Sequence, residues 1–324
     1  MVIYGVLFLI SLFLTYLIRI VALKKSLLAM PNERSSHTIP TPHGGGIAIA
    51  ISWFFGLIYL FTCKGIEASL FYALMAGGAL CLVSFLDDIY ELSPKIRLFT
   101  QASVALLGLY MLGGLSKIDS GIFVLENQLF TNAFAFLGII WCINLYNFLD
   151  GIDGYAGSEA LFLGIAGYLL FGGDYYLVLV ASVGGFLFWN WEKAKIFMGD
   201  VGSTLLGYNV AILALYSQNK GVSIVIWLIL FGLFWFDATL TLYRRYKNGE
   251  KLSEAHRKHS YQRAVQSGWS HQKVVMITMS LNLFLFILGY SALQYQRWIF
   301  VYFIVALIVL FIVVKIVDKR KKFE

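Results

Sequence analysis

Charge is what this sequence has least of. Only 13% of its 324 residues are Asp, Glu, Lys or Arg, against roughly 25% in soluble domains, while 59% are apolar. That balance excludes a water-soluble fold. Cysteine is nearly as scarce. Cys63, Cys81 and Cys142 are the three present, dispersed in or beside apolar stretches, which excludes a disulfide framework and offers no metal-ligand spacing. They read as small buried apolar residues. Four prolines, Pro31, Pro40, Pro42 and Pro94, leave the apolar stretches free of helix breakers. There is also no internal repeat or low-complexity tract, which weakens the case for a transporter built from duplicated halves. The chain reads as one membrane domain, 1–324.

What is present is a succession of apolar runs of spanning length: about 2–23, 44–62, 68–86, 98–115, 131–147, 158–172, 175–191, 202–217, 222–243, 273–291 and 298–317. They predict an all-α polytopic membrane protein with about 11 transmembrane helices, or 10, because three runs are short. The first run is followed, not preceded, by Lys24 and Lys25, so it is expected to be a retained anchor. Of the 25 lysines and arginines, only Lys64, Lys117, Lys220 and Arg297 fall on the side opposite the loops 24–43, 87–97, 148–157, 192–201, 244–272 and the tail. The positive-inside bias predicts those loops and the C-terminus to be cytoplasmic and the N-terminus periplasmic. The net charge of +7 sits in loops, not on a soluble face, so anionic headgroups and substrates are expected as partners and nucleic acid is not. On the outer side, Gly-Ile-Phe-Val-Leu at 121–125 suggests a short hairpin.

The inner loops carry the polar motifs. Asp87-Asp88 directly follows an apolar run; two adjacent carboxylates repel, a cost that a cation or basic partners such as Lys95 and Arg97 would offset. A solvated helix end explains the pair equally well. In Asn147-Phe-Leu-Asp150-Gly-Ile-Asp153-Gly, Asp150 and Asp153 share one face of a helical turn, and the glycines let backbone approach a ligand closely. Gly199-Asp200-Val-Gly202-Ser203-Thr204 puts a carboxylate in a tight turn opening a helix, able to hold a hard cation beside a phosphate or to act as a plain N-cap. His256-Arg257-Lys258-His259 could present donors to a diphosphate or form a basic helix at anionic lipid. Arg34, His37 and His43 flank a turn-rich segment whose Gly44-Gly45-Gly46 would also serve close helix packing; all three are candidate phosphate contacts. Carboxylates for Mg²⁺ and Arg/His for phosphate are the equipment of phosphoryl transfer.

These residues resemble the polyprenyl-phosphate N-acetylhexosamine-1-phosphate transferase superfamily (glycosyltransferase family 4). The resemblance rests on Asp87-Asp88, Asn147-x-x-Asp150-Gly-x-Asp153-Gly, Phe197-Met-Gly-Asp200-x-Gly-Ser and the histidine-bearing last loop. It covers essentially the whole chain. It implies an enzyme of the bacterial inner membrane, dependent on Mg²⁺ with Mn²⁺ as the alternative, with its site facing the cytoplasm. Such an enzyme moves an N-acetylhexosamine 1-phosphate, or its 6-deoxy form, from a UDP-sugar to undecaprenyl phosphate, releasing UMP and starting a surface glycan. Carried over by motif, Asp87 would deprotonate or orient the lipid phosphate, Asp88 would support it, and Asp200, with Asp87 and Asp88, would hold the metal. Asn147, Asp150 and Asp153 would line the nucleotide and diphosphate site, His256, Arg257 and His259 would hold diphosphate and sugar, and Arg34, His37, His43 and Lys95 would be accessory contacts to the lipid phosphate. The last loop departs from the triple-histidine segment of the peptidoglycan branch, phospho-N-acetylmuramoyl-pentapeptide transferase, and looks more like the O-antigen and capsule initiating branch. Self-association as a homodimer is left open. The rival from another class is a transporter or scramblase. Asp237, inside the run Phe231 to Tyr243, fits it unless Asp237 lies near the inner end and pairs with Arg244 or Arg245.

Overall fold

In hydrocarbon every backbone polar group must be satisfied within its own segment, so long apolar runs without proline become helices. The computed structural model describes residues 2–25, 27–29, 39–252, 254 and 256–323; Arg34 and His37 lie outside them. Among the described residues the helices are α1 (Val2–Lys24), α2 (Gly46–Cys63), α3 (Ala68–Met75), α4 (Gly78–Tyr90), α5 (Pro94–Met111), α6 (Gln128–Phe148), α7 (Tyr155–Phe171), α8 (Asp174–Asn190), α9 (Asp200–Asn219), α10 (Ile224–Leu230), α11 (Gly232–Lys247), α12 (Ser260–Gln266), α13 (His271–Gln294) and α14 (Ile299–Arg320). Each of the eleven apolar runs falls on one of these helices or, twice, on a pair.

The chain is an all-α membrane protein. Six helical stretches, Ala68–Tyr90 taken as one of them, are long and apolar enough to cross a membrane, and a seventh if α10 and α11, bent by 81° at Phe231, count together. The apolar α7 is shorter. α9 carries Ser203, Thr204 and Asn209 and needs no lipid-like surface: every residue from Val201 to Leu215 is buried, packed by α2, α4 and α6 among others. A helix surrounded by protein can keep polar side chains that lipid would not accept.

Small residues set how closely these helices approach. A Cβ on Gly207 of α9 would come within 2.4 Å of the Cys142 carbonyl oxygen of α6, and one on Gly185 of α8 within 2.6 Å of the Leu12 nitrogen of α1. The suggested outer hairpin is present as β3 (Ile118–Asp119) paired antiparallel with β4 (Val124–Leu125). A second two-residue pairing, β1 (Leu28–Ala29) with β2 (Thr41–Pro42), leads into α2. At that end of the bundle α4 and α6 finish while α2, α5, α7 and α9 begin, so the motifs converge there.

Candidate active site

The site is set by backbone before side chains. Phe197 donates its N–H to the Pro42 carbonyl at 2.8 Å, and the N–H groups of Gly45 and Gly46 donate to Phe197 and Met198 at 2.9 and 2.8 Å. A Cβ on Gly46 would stand 2.3 Å from the Gly202 nitrogen. Only glycine permits this contact between the starts of α2 and α9. It fixes Gly199, whose φ is +75°, and Asp200 at the first residue of α9.

Asn147, at the end of α6, then locks Asp200 in orientation: its Nδ2 donates to Asp200 Oδ1 and to Ser203 Oγ, both at 2.9 Å. From the other side Arg97, on the first turns of α5, donates to Asp87 Oδ2 at 3.1 Å and stands 3.9 Å from Asp200 Oδ2. His43 Nδ1 is 4.0 Å from Asp88 Oδ2. Asp87, Asp88, Asn147, Asp200 and His43, five of the expected site residues, are thereby gathered from segments far apart in sequence. Lys95 is exposed, and Arg97 makes the ion pair to Asp87 instead.

A cavity of about 350 Å³ opens beside this cluster, lined by His43, Asp88, Asn147, Asp150, Asp153 and Asp200, with Gln262 and His271 on its wall. The Asp150–Gly154 loop is tied down by its own polar atoms. Asp153 Oδ2 accepts the Ala194 N–H at 3.0 Å and lies 3.4 Å from His271 Nδ1, while Gly154 donates to Asn190 Oδ1 at 3.0 Å. Burial, and then the nearby Asp200, push the Asp150 carboxyl well above the usual range. Asp87, Asp88 and Asp200 crowd together around one arginine, Arg97, with His43 4.0 Å from Asp88. The donor set of this cluster is carboxylate and amide oxygen, which suits a hard divalent cation. Among the described residues no three side chains already form a closed ligand set, and Arg97 stands between Asp87 and Asp200.

A separate crevice of about 230 Å³ runs between α4, α5, α6 and α9, with Ser84, Arg97, Gln101, Asn144, Asp200 and Thr204 on its walls. The two hollows share Asn147 and Asp200 on their walls.

The last inner loop is arranged differently from the expectation. His256, Arg257 and His259 are not on the cavity wall. His259 is 2% exposed and stacks between Phe148 and Tyr261, with ring centroids 6.4 and 6.0 Å away. Burial, then His259 and Arg245, push the His256 imidazole down to about 3, and burial also lowers His259, so both rings are neutral near pH 7. The wall residues from this part of the chain are Gln262 and His271. Neither stood out in sequence: His271 follows the N-cap Ser270 and looks like an ordinary first-turn residue.

Asp237 pairs with neither Arg244 nor Arg245. Its two oxygens accept the Ser260 N–H at 2.9 Å, and Oδ1 also accepts from Thr241 at 3.2 Å. It acts as a borrowed cap for α12, and its hydrogen bonds account for a carboxylate in an apolar run without any transport path. Arg244 pairs with Asp318 and Arg245 with Glu250.

Residues 70–218 match the family model described as glycosyl transferase family 4. The chain is 32% identical over 317 residues to a probable undecaprenyl-phosphate N-acetylglucosaminyl 1-phosphate transferase of Bacillus subtilis, covering 92% of this chain and 86% of that protein. It is 30% identical over 295 residues to the undecaprenyl-phosphate alpha-N-acetylglucosaminyl 1-phosphate transferase of Yersinia pestis, covering 84% and 79%. The protein of that name from Salmonella typhi is 30% identical over 297 residues, covering 84% and 78%. With the motif residues gathered at one end of the bundle and relatives aligned over most of both lengths, the chain belongs to glycosyl transferase family 4.

Proposed function

We propose that this protein transfers an N-acetylhexosamine 1-phosphate from a UDP-sugar to undecaprenyl phosphate, releasing UMP, and that it does so as the first step of a surface glycan such as O-antigen. The relatives' names favour N-acetylglucosamine as the sugar. The observation that carries the reading is the meeting of Asp87 and Asp200 at Arg97, with Asn147 on Asp200 and Asp88 beside His43, at a cavity edged by Asp150 and Asp153.

In this reading the UDP-sugar occupies the cavity of Asp150 and Asp153, and the lipid phosphate arrives by the crevice of Arg97, Gln101 and Asn144. Asp87 accepts the remaining proton of the lipid phosphate, with Arg97 ready to pass from Asp87 to that anion. Asn147 holds Asp200 so that its free oxygen faces the reacting phosphates. Mg²⁺, or Mn²⁺, held by Asp200 with Asp87 or Asp88, would neutralise charge on the diphosphate and on departing UMP. Positioning and charge neutralisation supply most of the acceleration in such a transfer.

The charge bias further supports an N-terminus in the periplasm and a site at the cytoplasmic surface of the bacterial inner membrane, where a soluble nucleotide sugar and a membrane-bound phosphate meet, in one domain over 1–324 of about eleven, or ten, spans. The test is direct. Purified protein in detergent, given UDP-N-acetylglucosamine, undecaprenyl phosphate and Mg²⁺, should form a lipid-linked sugar and stop when EDTA is added. Lack of a lipid-linked product across a panel of UDP-sugars would refute the proposal.

A further inference from the structure

The last inner loop is fastened to the end of the last helix. Asp318, on the final turn of α14, accepts both terminal nitrogens of Arg244 at 3.0 Å and Nη1 of Arg263 at 2.7 Å. Arg263 is only 2% exposed. Its Nη1 also donates to the Lys321 carbonyl at 2.9 Å and its Nε to the Lys258 carbonyl at 3.1 Å. The ring of Phe323 lies against the same charges, 5.3 Å from the guanidinium carbons of Arg244 and Arg263 and 5.8 Å from Lys258 Nζ. A carboxylate shared by two arginines over an aromatic face is a rigid arrangement.

Arg263 belongs to α12, and α12 reaches the site. Tyr261 donates to the Phe148 carbonyl at 3.0 Å, its hydroxyl fills the space where a Cβ on Gly151 would sit, 2.1 Å away, and Gln262 is on the cavity wall beside Asp150 and Asp153. At its first residue, Ser260, α12 is capped by Asp237. A seven-residue helix has little stability of its own, so its place depends on the contacts around it, these three among them. The crevice of Arg97, Gln101 and Asn144 contains no residue of α12.

We propose that Asp318 and Phe323 are positioning residues for the donor: through Arg263 they hold α12 so that Tyr261 and Gln262 keep the donor side of the cavity in shape, without touching the acceptor side. The proposal rests on the assignment of that cavity to the UDP-sugar. Removing one partner from a buried pair leaves an uncompensated charge and loosens what the pair held.

The experiment compares the full-length wild type with Asp318→Asn, Asp318→Glu and Phe323→Leu, measuring kcat, KM for UDP-N-acetylglucosamine, KM for undecaprenyl phosphate, and amide exchange over residues 256–266. Asp318→Asn should raise the donor KM about tenfold or more while the acceptor KM stays within about twofold, and exchange over 256–266 should quicken. Asp318→Glu should recover most of the donor KM. Phe323→Leu, which keeps every charge, should shift the donor KM in the same direction by about threefold and decides the matter if Asp318→Asn does not fold. Unchanged donor KM in a folded variant, or donor and acceptor KM rising together, would overturn the proposal. If the wild type uses no UDP-sugar, the reaction reading fails separately, and amide exchange alone decides whether Asp318 holds α12.

Discussion

The carboxylates at the start of α9 and those around the last inner loop sit at the same end of the molecule and are treated in opposite ways. Around the loop, three acids are held by strong partners. Asp318 takes two arginines, Glu250 takes Arg245 and Lys258 at 3.0 and 2.9 Å, and Asp237 takes an amide and a hydroxyl. At the cluster, Asp87 and Asp200 share Arg97, Asn147 donates to Asp200, and His43 stands 4.0 Å from Asp88, while burial and the nearby Asp200 push the Asp150 carboxyl up toward its neutral form. Balanced charge holds a structure in place. Carboxylates crowded at a cavity are chemistry awaiting a cation and a phosphate.

Removing one of the crowded carboxylates should have the largest effect. Asp200→Asn or Asp87→Asn should lower kcat by at least about 10²–10³-fold, the scale of losing one charge-stabilising group, while thermal unfolding changes little, since the cluster is not what holds the helices together. A folded Asp200→Asn protein with near-normal turnover would erase the distinction between the two regions.

Next comes the backbone beneath the cluster. Gly46→Ala should destabilise the protein by about 3 kcal/mol, because the added methyl meets backbone that cannot move aside, whereas Gly138→Ala on α6, where a Cβ meets nothing within 4 Å, should be tolerated. Thermal unfolding of the two variants provides the contrast.

A smaller effect concerns pH. His256 is lowered from 6.5 to about 3, so the unfolded chain takes up a proton that the folded chain refuses. Stability is therefore retained above about 6.5 and lost as pH falls from there toward about 3. His256→Gln should flatten the fall in unfolding temperature between pH 6.5 and pH 4; an unchanged slope would contradict the half-buried, neutral ring. The smallest effect is expected at Lys95, where Lys95→Ala should change kcat/KM by less than about threefold, against a large loss for Arg97→Ala measured in the same assay.

That last pair also shows where the sequence is readable and where it is not. Residues two apart on a helix point to nearly opposite sides, so Lys95 and Arg97 cannot both face Asp87, and only the set of the helix decides between them. The helices themselves are legible because apolar runs leave the backbone no other choice. The cluster is legible in part because Asp87, Asn147 and Asp200 each end or begin such a run. What sequence could not show is contact across long separations: Gly46 on Gly202, Tyr261 on Gly151, or Asp237 capping Ser260. The histidines of the last loop drew attention by their chemistry, yet burial took His259 into packing and left Gln262 and His271 at the cavity.

The most direct test of the account is the fate of the nucleotide. Wild-type protein incubated with UDP-N-acetylglucosamine labelled in the phosphate nearest the sugar, undecaprenyl phosphate and Mg²⁺ should release unlabelled UMP in equal amount to labelled lipid, with neither formed by Asp200→Asn. Release of UDP with an unlabelled lipid product, or nucleotide sugar left intact, would contradict it.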